Sequence, residues 1–217
     1  AAAIASPPSS SQASPTVLLY EDVAEATNGF DDGNVVGSGG FGVVYKGSPL
    51  ASIASAFGQV AVKVLAVNSN KQGHAEMLRE IQLLGTTRHE ALLPLHGFCL
   101  DHRGMCLVYP LMVGGNLEDR LLLTPESIER LSRLGHEQPP PHLTWLQRLL
   151  IMRQIIDALV YLHTPSSSKG VELHNDIKPS NILLDGDLNA KLGDVGLGLP
   201  IEGGNEGRTH VSLNGVF

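Results

Sequence analysis

Between residues 34 and 65 the chain is built from short β-branched and aromatic runs cut by glycine: Val35 and Val36, then Val43, Val44 and Tyr45, then Val60 to Leu65. Such runs suit extended strands and the intervening glycines suit turns, so the chain is committed early to a small antiparallel sheet. The spacing then changes. Residues 75–84 place Met77, Ile81 and Leu84 on one helical face, while the apolar segments at 92–95 and 105–109 return to strand. From Leu117 onward the pattern is mainly helical. Thr124 and Pro125 open a short helix that Gly135 can close, and Thr144 with Gln147 forms a capping box for a long helix running to about His163. A strand-rich first part followed by a helical second part predicts an α+β fold in two lobes. Residues 1–16 carry Pro and Ser with almost no bulky apolar groups and read as a flexible tail. Residues 17–112 form the strand-rich lobe and its exit, and residues 113–217 a partial helical lobe.

Composition narrows the partners. The net charge is −7, with Lys and Arg scattered, so no face is prepared to neutralise a phosphate backbone and nucleic acid is not an expected partner. The longest apolar stretch, near Leu149 to Leu162, is broken by Arg153 and Asp157, and no membrane span is expected in this chain. Two cysteines cannot form a disulfide framework and fit a reducing compartment. His96, Cys99, His102 and Cys106 have a spacing superficially suited to zinc. Residues three apart on a strand face opposite sides, which argues against it.

The chemistry begins at Gly37, Gly39, Gly40 and Gly42, followed by Val43, Val44 and Tyr45. Glycines let backbone N–H groups point inward and lie close to phosphate oxygens without an intervening Cβ. Because β-branched residues follow, the turn joins two strands and is not the entry to a helix, as a dinucleotide fingerprint would require. On the next strand Ala61 and Lys63 share a face, so a small side chain can sit against a flat ring while an ammonium reaches past it. Lys63 needs a counter-charge. Glu80 lies on the apolar stripe of the first helix, where a carboxylate is costly unless paired; Glu76, one turn earlier, is the rival partner.

The densest constellation is His174, Asp176, Lys178 and Asn181, then Asp185-Gly186, then Asp194. Ile182 to Leu184 and Ala190 to Leu192 flank the Asp-Gly turn and should pair as a hairpin. That pairing carries Asn181 and Asp194 to nearly the same place, where an amide oxygen and a carboxylate make a hard-oxygen site for Mg²⁺, with Mn²⁺ as the alternative ion. Asp176 and Lys178 stand just before it, ready to handle a hydroxyl proton and a transferring phosphoryl group.

With these residues assembled, the chain from Tyr20 to its last residue resembles the protein kinases, and among them the plant receptor-like and interleukin-receptor-associated serine/threonine kinases. Glu25 to Phe30, His96 to Cys99 and Leu107 to Tyr109 are similar to the corresponding stretches of those kinases. The resemblance implies a bilobal kinase fold and ATP as phosphoryl donor. Gly37, Gly39, Gly40 and Gly42 would cover the triphosphate, Lys63 would hold its α- and β-phosphates, and Glu80 would position Lys63. Asp176 would orient the substrate hydroxyl, Lys178 the γ-phosphate, and Asn181 and Asp194 the metal. Tyr109 would be the gatekeeper and Pro110 to Met112 the hinge, with Val44, Ala61 and Leu183 completing the adenine lining. The implied partners are protein substrates, and with them a membrane receptor or an upstream kinase. The implied setting is cytoplasmic, as in the intracellular part of a plasma-membrane receptor kinase.

The resemblance has departures. Asn175 stands where many members carry arginine, Val195 replaces the phenylalanine of Asp-Phe-Gly, and Val216 replaces a threonine that contacts the catalytic aspartate. The chain ends within the expected activation segment, so these residues alone are expected not to phosphorylate peptides. A rival reading follows from the same departures: a pseudokinase that keeps the pocket as a nucleotide-binding scaffold.

Overall fold

The computed structural model describes residues 14–39, 42–53, 58–65, 71–166 and 169–201. Gly40 and the segment carrying Thr209, Ser212 and Val216 lie outside the described residues.

The first lobe runs β1 (Thr16–Val17), α1 (Tyr20–Ala26), β2 (Val35–Gly39), β3 (Gly42–Gly47), β4 (Val60–Leu65), α2 (Lys71–Thr86), β5 (Gly97–Asp101) and β6 (Gly104–Pro110). Its six strands form one sheet in the order β1-β5-β6-β4-β3-β2. All neighbours are antiparallel except β1 and β5. The two-residue period of β4 divides the lobe. Val60 and Val62 enter one core with Val23, Cys99, Cys106 and Val108, while Ala61 and Leu65 face the opposite core with Leu107, Tyr109 and the α2 residues Met77, Leu83 and Leu84. Cys99 and Cys106 are direct cross-strand neighbours, and both are free and buried.

The apolar run at 92–95 is buried, yet the strand begins only at Gly97. Pro94 supplies no N–H for a ladder. The flanking donors are used singly instead: Leu93 N–H to the Leu192 carbonyl and His96 N–H to the Val108 carbonyl, each 2.9 Å. Leu192 N–H in turn donates to the Ala91 carbonyl at 2.8 Å, so Leu92 makes one isolated parallel bridge with Leu192, and the stretch joins the two lobes without forming a strand.

The second lobe contains β7 (Gly115–Asn116), α3 (Leu117–Leu122), α4 (Pro125–Arg133), α5 (Trp145–His163), β8 (Val171–Leu173), β9 (Ile182–Leu184), β10 (Ala190–Leu192) and β11 (Leu199–Ile201). The Thr144 hydroxyl accepts from the Gln147 N–H, the Gln147 side chain accepts from the Thr144 N–H, and α5 starts there. Its buried residues Ile151, Ile155, Ala158 and Leu162 repeat at helical spacing and pack on Ile182, Leu184, Ala190 and Leu192. Burying side chains of this size contributes about 1.5–3 kcal/mol each, so the helix anchors the β9–β10 hairpin firmly. Trp145, Leu146, Ile156 and Val160, on other faces of α5, are exposed. Among the described residues no helix is long and apolar enough to cross a membrane. The fold is α+β in two lobes, with the site between them.

Candidate active site

Strand β4 carries Lys63 to the cleft, and the inward face of α2 carries Glu80. The Lys63 ammonium lies 3.5 Å from Glu80 Oε2 and 2.6 Å from Asp194 Oδ1. Glu76 accepts instead from Gln72 at 2.8 Å, so the choice between the two glutamates falls on Glu80. Glu80 is only 2% exposed and takes a second hydrogen bond, 2.7 Å, from the Tyr109 hydroxyl. Burial raises the Glu80 pKa, and the Lys63 charge and the Tyr109 bond offset that only in part. Burial also works against the Lys63 ammonium, but there the Glu80 and Asp194 carboxylates together prevail and its pKa rises. The two shifts differ in character because Lys63 answers two carboxylates, whereas Glu80 has one cation and deeper burial. Burial and the neighbouring Glu80 charge hold the Tyr109 hydroxyl well above its ordinary pKa, so it remains a donor.

The β9–β10 hairpin pairs Leu192 with Ile182 and closes with Gly193 N–H on the Asn181 carbonyl, 2.9 Å. This brings Asn181 and Asp194 to the lining of one cavity. The Asn181 amide nitrogen donates to the Asp176 carbonyl at 2.8 Å and to Asp176 Oδ2 at 2.9 Å. That orientation turns the amide oxygen away from these bonds. Lys178 also bonds Asp176 Oδ2, at 2.7 Å. Partial burial opposes the Asp176 carboxylate, but the bonds from Lys178 and Asn181 outweigh it and hold its pKa below the usual range. Asp176 is therefore an ionised acceptor near neutral pH. Beneath it, His174 Nε2 lies 3.0 Å from the Gly193 carbonyl. A carbonyl only accepts, so the His174 proton sits on Nε2 and Nδ1 receives the Asp176 N–H.

Asn175 adopts φ 62° and donates to the Leu197 carbonyl at 3.2 Å. Asparagine tolerates this left-handed conformation better than most residues. Asp194 is also left-handed, at φ 60°, and leads into a tight turn over Val195–Leu197. Val195 is completely buried in the α2 core. Gly196 is required there, because a Cβ would stand 2.9 Å from the Glu76 carbonyl. Arg79, beside Glu80 on α2, pairs with Glu172 at 2.6 Å and donates to the Gly198 carbonyl. The segment after Asp194 is thus held against α2 at several points.

A cavity of about 250 Å³ lies between the lobes, lined by Gly37, Val44, Ala61, Lys63, Glu80, Tyr109, Pro110, Met112, Asn181, Leu183 and Asp194. It opens into a wider mouth bordered by Gly39, Gly42 and Lys178. Gly42, at φ 140°, takes a conformation that side chains rarely adopt. Sequence reasoning missed Val36, Asn116, Asp119 and Arg130, which also line the cavity. Asp119 is buried and paired with Arg130, whose Nε lies 3.0 Å from Oδ2. A carboxylate at the head of an apolar helix was a readable signal; Arg130 gave none, since it arrives through the fold-back of α4. The same helix ties the lobes together. Arg133 Nη1 donates to the Val35 carbonyl and Lys46 Nζ to the Arg133 carbonyl, each at 3.1 Å.

The family model for protein tyrosine and serine/threonine kinases matches residues 31–213. Lectin-domain containing receptor kinase VI.4 of Arabidopsis thaliana is 37% identical over 93% of this chain and 27% of its own length. L-type lectin-domain containing receptor kinase V.5 of the same plant is 39% identical over 86% of this chain and 25% of its own. L-type lectin-domain containing receptor kinase SIT1 of Oryza sativa subsp. japonica is 36% identical over 90% of this chain and 26% of its own. The chain spans about a quarter of the length of these curated relatives.

Proposed function

The chain belongs to the protein tyrosine and serine/threonine kinase family, and from that membership we propose that its parent protein transfers the γ-phosphate of ATP to Ser or Thr hydroxyls of protein substrates. The observation that carries the reading is the meeting of Lys63, Glu80, Asn181 and Asp194 on one cavity, with Lys178 at its mouth and Asp176 bonded to both Asn181 and Lys178. Lys178, two residues after Asp176, favours serine/threonine over tyrosine as the acceptor.

In this reading Glu80 holds the Lys63 ammonium toward the cavity, where it meets the α- and β-phosphates. Both side-chain bonds to Asp176 fall on Oδ2, which leaves Oδ1 to accept from the substrate hydroxyl and aim its oxygen. Lys178 follows the transferring phosphoryl group as a compact positive charge. The donor set suits Mg²⁺: the Asn181 amide oxygen and the Asp194 carboxylate are hard oxygens on one wall, and among the described residues no thiol or imidazole lines the cavity. A bound Mg²⁺ would supply neutralisation of phosphate charge. By analogy with the receptor kinases it resembles, we place this domain on the cytoplasmic side of a plasma-membrane receptor, acting in signal transduction.

The test is phosphate transfer from labelled ATP by the full-length parent, followed by phosphoamino-acid analysis. Asp176→Asn is expected to lower the rate at least about 100-fold, the usual worth of a positioned acid or base. Equal labelling by both proteins leaves the scaffold reading, and label on tyrosine overturns the acceptor assignment.

A further inference from the structure

Outside the nucleotide cleft, the described residue with the least explained charge is Arg120, in the last turn of α3. It is 4% exposed, and its single hydrogen bond is a long one, 3.4 Å from Nη1 to the Gly114 carbonyl. Its Nε–H is buried with no acceptor. No carboxylate pairs with it among the described residues. The acids nearest in sequence and fold are already engaged. Asp119 is held by Arg130, and Asp185 accepts from Asp187 N–H at 2.9 Å, Asn189 N–H at 2.8 Å and the Asn189 amide at 2.9 Å. Glu118, on α3 itself, does not pair with Arg120. A guanidinium does not deprotonate at accessible pH, so this is a buried cation without its counter-charge, an arrangement strongly disfavoured unless something supplies the missing acceptors.

Arg120 lines a cavity of about 210 Å³ shared with Val113, Leu134, His136, Gly186 and Leu188. The space lies on the far side of Leu134 from the nucleotide cavity, whose wall Leu134 also forms. His136 is oriented by its Nε2–H on the Val113 carbonyl, 2.8 Å, which commits that donor and leaves Arg120 as the cationic group of the lining. The space is open to solvent on one side and roomy enough for one small anion. With Nη1 on the Gly114 carbonyl and Nε shielded, Nη2 is the donor of the guanidinium left for an anion in this space.

We propose that this cavity is a binding site for one small oxyanion, a phosphate or a carboxylate, held by Arg120. The site is separate from the phosphate-binding part of the nucleotide cleft and does not depend on the proposed phosphotransfer.

The test follows thermal unfolding of the purified chain at constant ionic strength while chloride is replaced by inorganic phosphate or by acetate. Wild type is expected to gain several degrees at saturation, and Arg120→Gln, similar in length but uncharged, to lose that gain. Lys178→Met, which removes a cation from the nucleotide cleft, is expected to keep it. A larger response to phosphate than to acetate assigns a tetrahedral anion, and the reverse a carboxylate. No response to either anion, an equal response in Arg120→Gln, or a response lost only in Lys178→Met overturns the proposal. If Arg120→Gln does not fold, the side-chain Nε–H resonance of Arg120 is followed in the wild type: movement on adding phosphate supports the site, and a stationary signal overturns it.

Discussion

Replacing Tyr109 by phenylalanine removes one oxygen from the centre of the molecule and isolates the consequence of burying Glu80. The hydroxyl donates to Glu80 Oε1 at 2.7 Å, and Glu80 is 2% exposed. A hydrogen bond to a charged group contributes about 1.5–3 kcal/mol, and the abandoned carboxylate adds desolvation that water cannot relieve. Lys63, 3.5 Å away, can close in, but only by leaving Asp194. The expected loss at pH 8 is therefore about 2 kcal/mol. It should depend on pH. Burial already places the folded Glu80 pKa above the ordinary 4.5, and losing the Tyr109 bond raises it further. An acid with a raised folded pKa binds more protons folded than unfolded, so stability falls as pH rises from about 4.5 through the folded pKa. Tyr109→Phe deepens that fall. The difference from wild type is full once Glu80 is ionised in both proteins and shrinks toward about 1 kcal/mol, the worth of a neutral bond, as pH drops toward 4.5. Urea unfolding of both proteins at pH 5 and pH 8 measures it. A loss below about 0.5 kcal/mol at pH 8, or an identical loss at both pH values, would refute the buried-carboxylate account.

Other substitutions probe the parts that hold this centre. Gly196→Ala should cost about 1–3 kcal/mol, because backbone walls it in at the Glu76 carbonyl 2.9 Å away; unchanged thermal unfolding with unchanged ATP affinity would contradict the packing described. Arg79→Ala unhooks both Glu172 and the Gly198 carbonyl, and hydrogen exchange should accelerate in β8 and β11 while the β9–β10 hairpin stays protected. Thr144→Ala removes the hydroxyl that accepts from the Gln147 N–H while keeping the backbone N–H bond to the Gln147 side chain, and should lower stability by about 1 kcal/mol in urea.

What could be read from the sequence was what a few neighbouring residues decide together. The Thr144 and Gln147 cap, the Asp185-Gly186 hairpin and the glycine-cut strands each carry their signal within a handful of positions, and each element stands where its residues put it. Glu80 was legible for a different reason: a carboxylate on an apolar helical stripe needs a cation, and Lys63 was the one available on the facing strand. The run at 92–95 misled because hydrophobicity marks burial and not extension, and Pro94 deprives it of a ladder donor. The helix α2 starts at Lys71, earlier than its apolar face at 75–84, since polar first turns leave no periodic trace. The bond between Tyr109 and Glu80 and the arrival of Arg130 could not be read, because both depend on which elements become neighbours only after folding.

The tie that α4 makes across the cleft bears on timing. Val35 and Lys46 belong to the strands that carry the glycine turn, and both are fastened to Arg133 on the opposite bank. Swinging the roof away from the floor means breaking both fastenings at once. At about 0.5–1.5 kcal/mol apiece, roughly 1–3 kcal/mol together, they should slow the opening of the cleft about fivefold to a hundredfold. A helix standing at the rim of the cleft in this way sets how readily the two banks part.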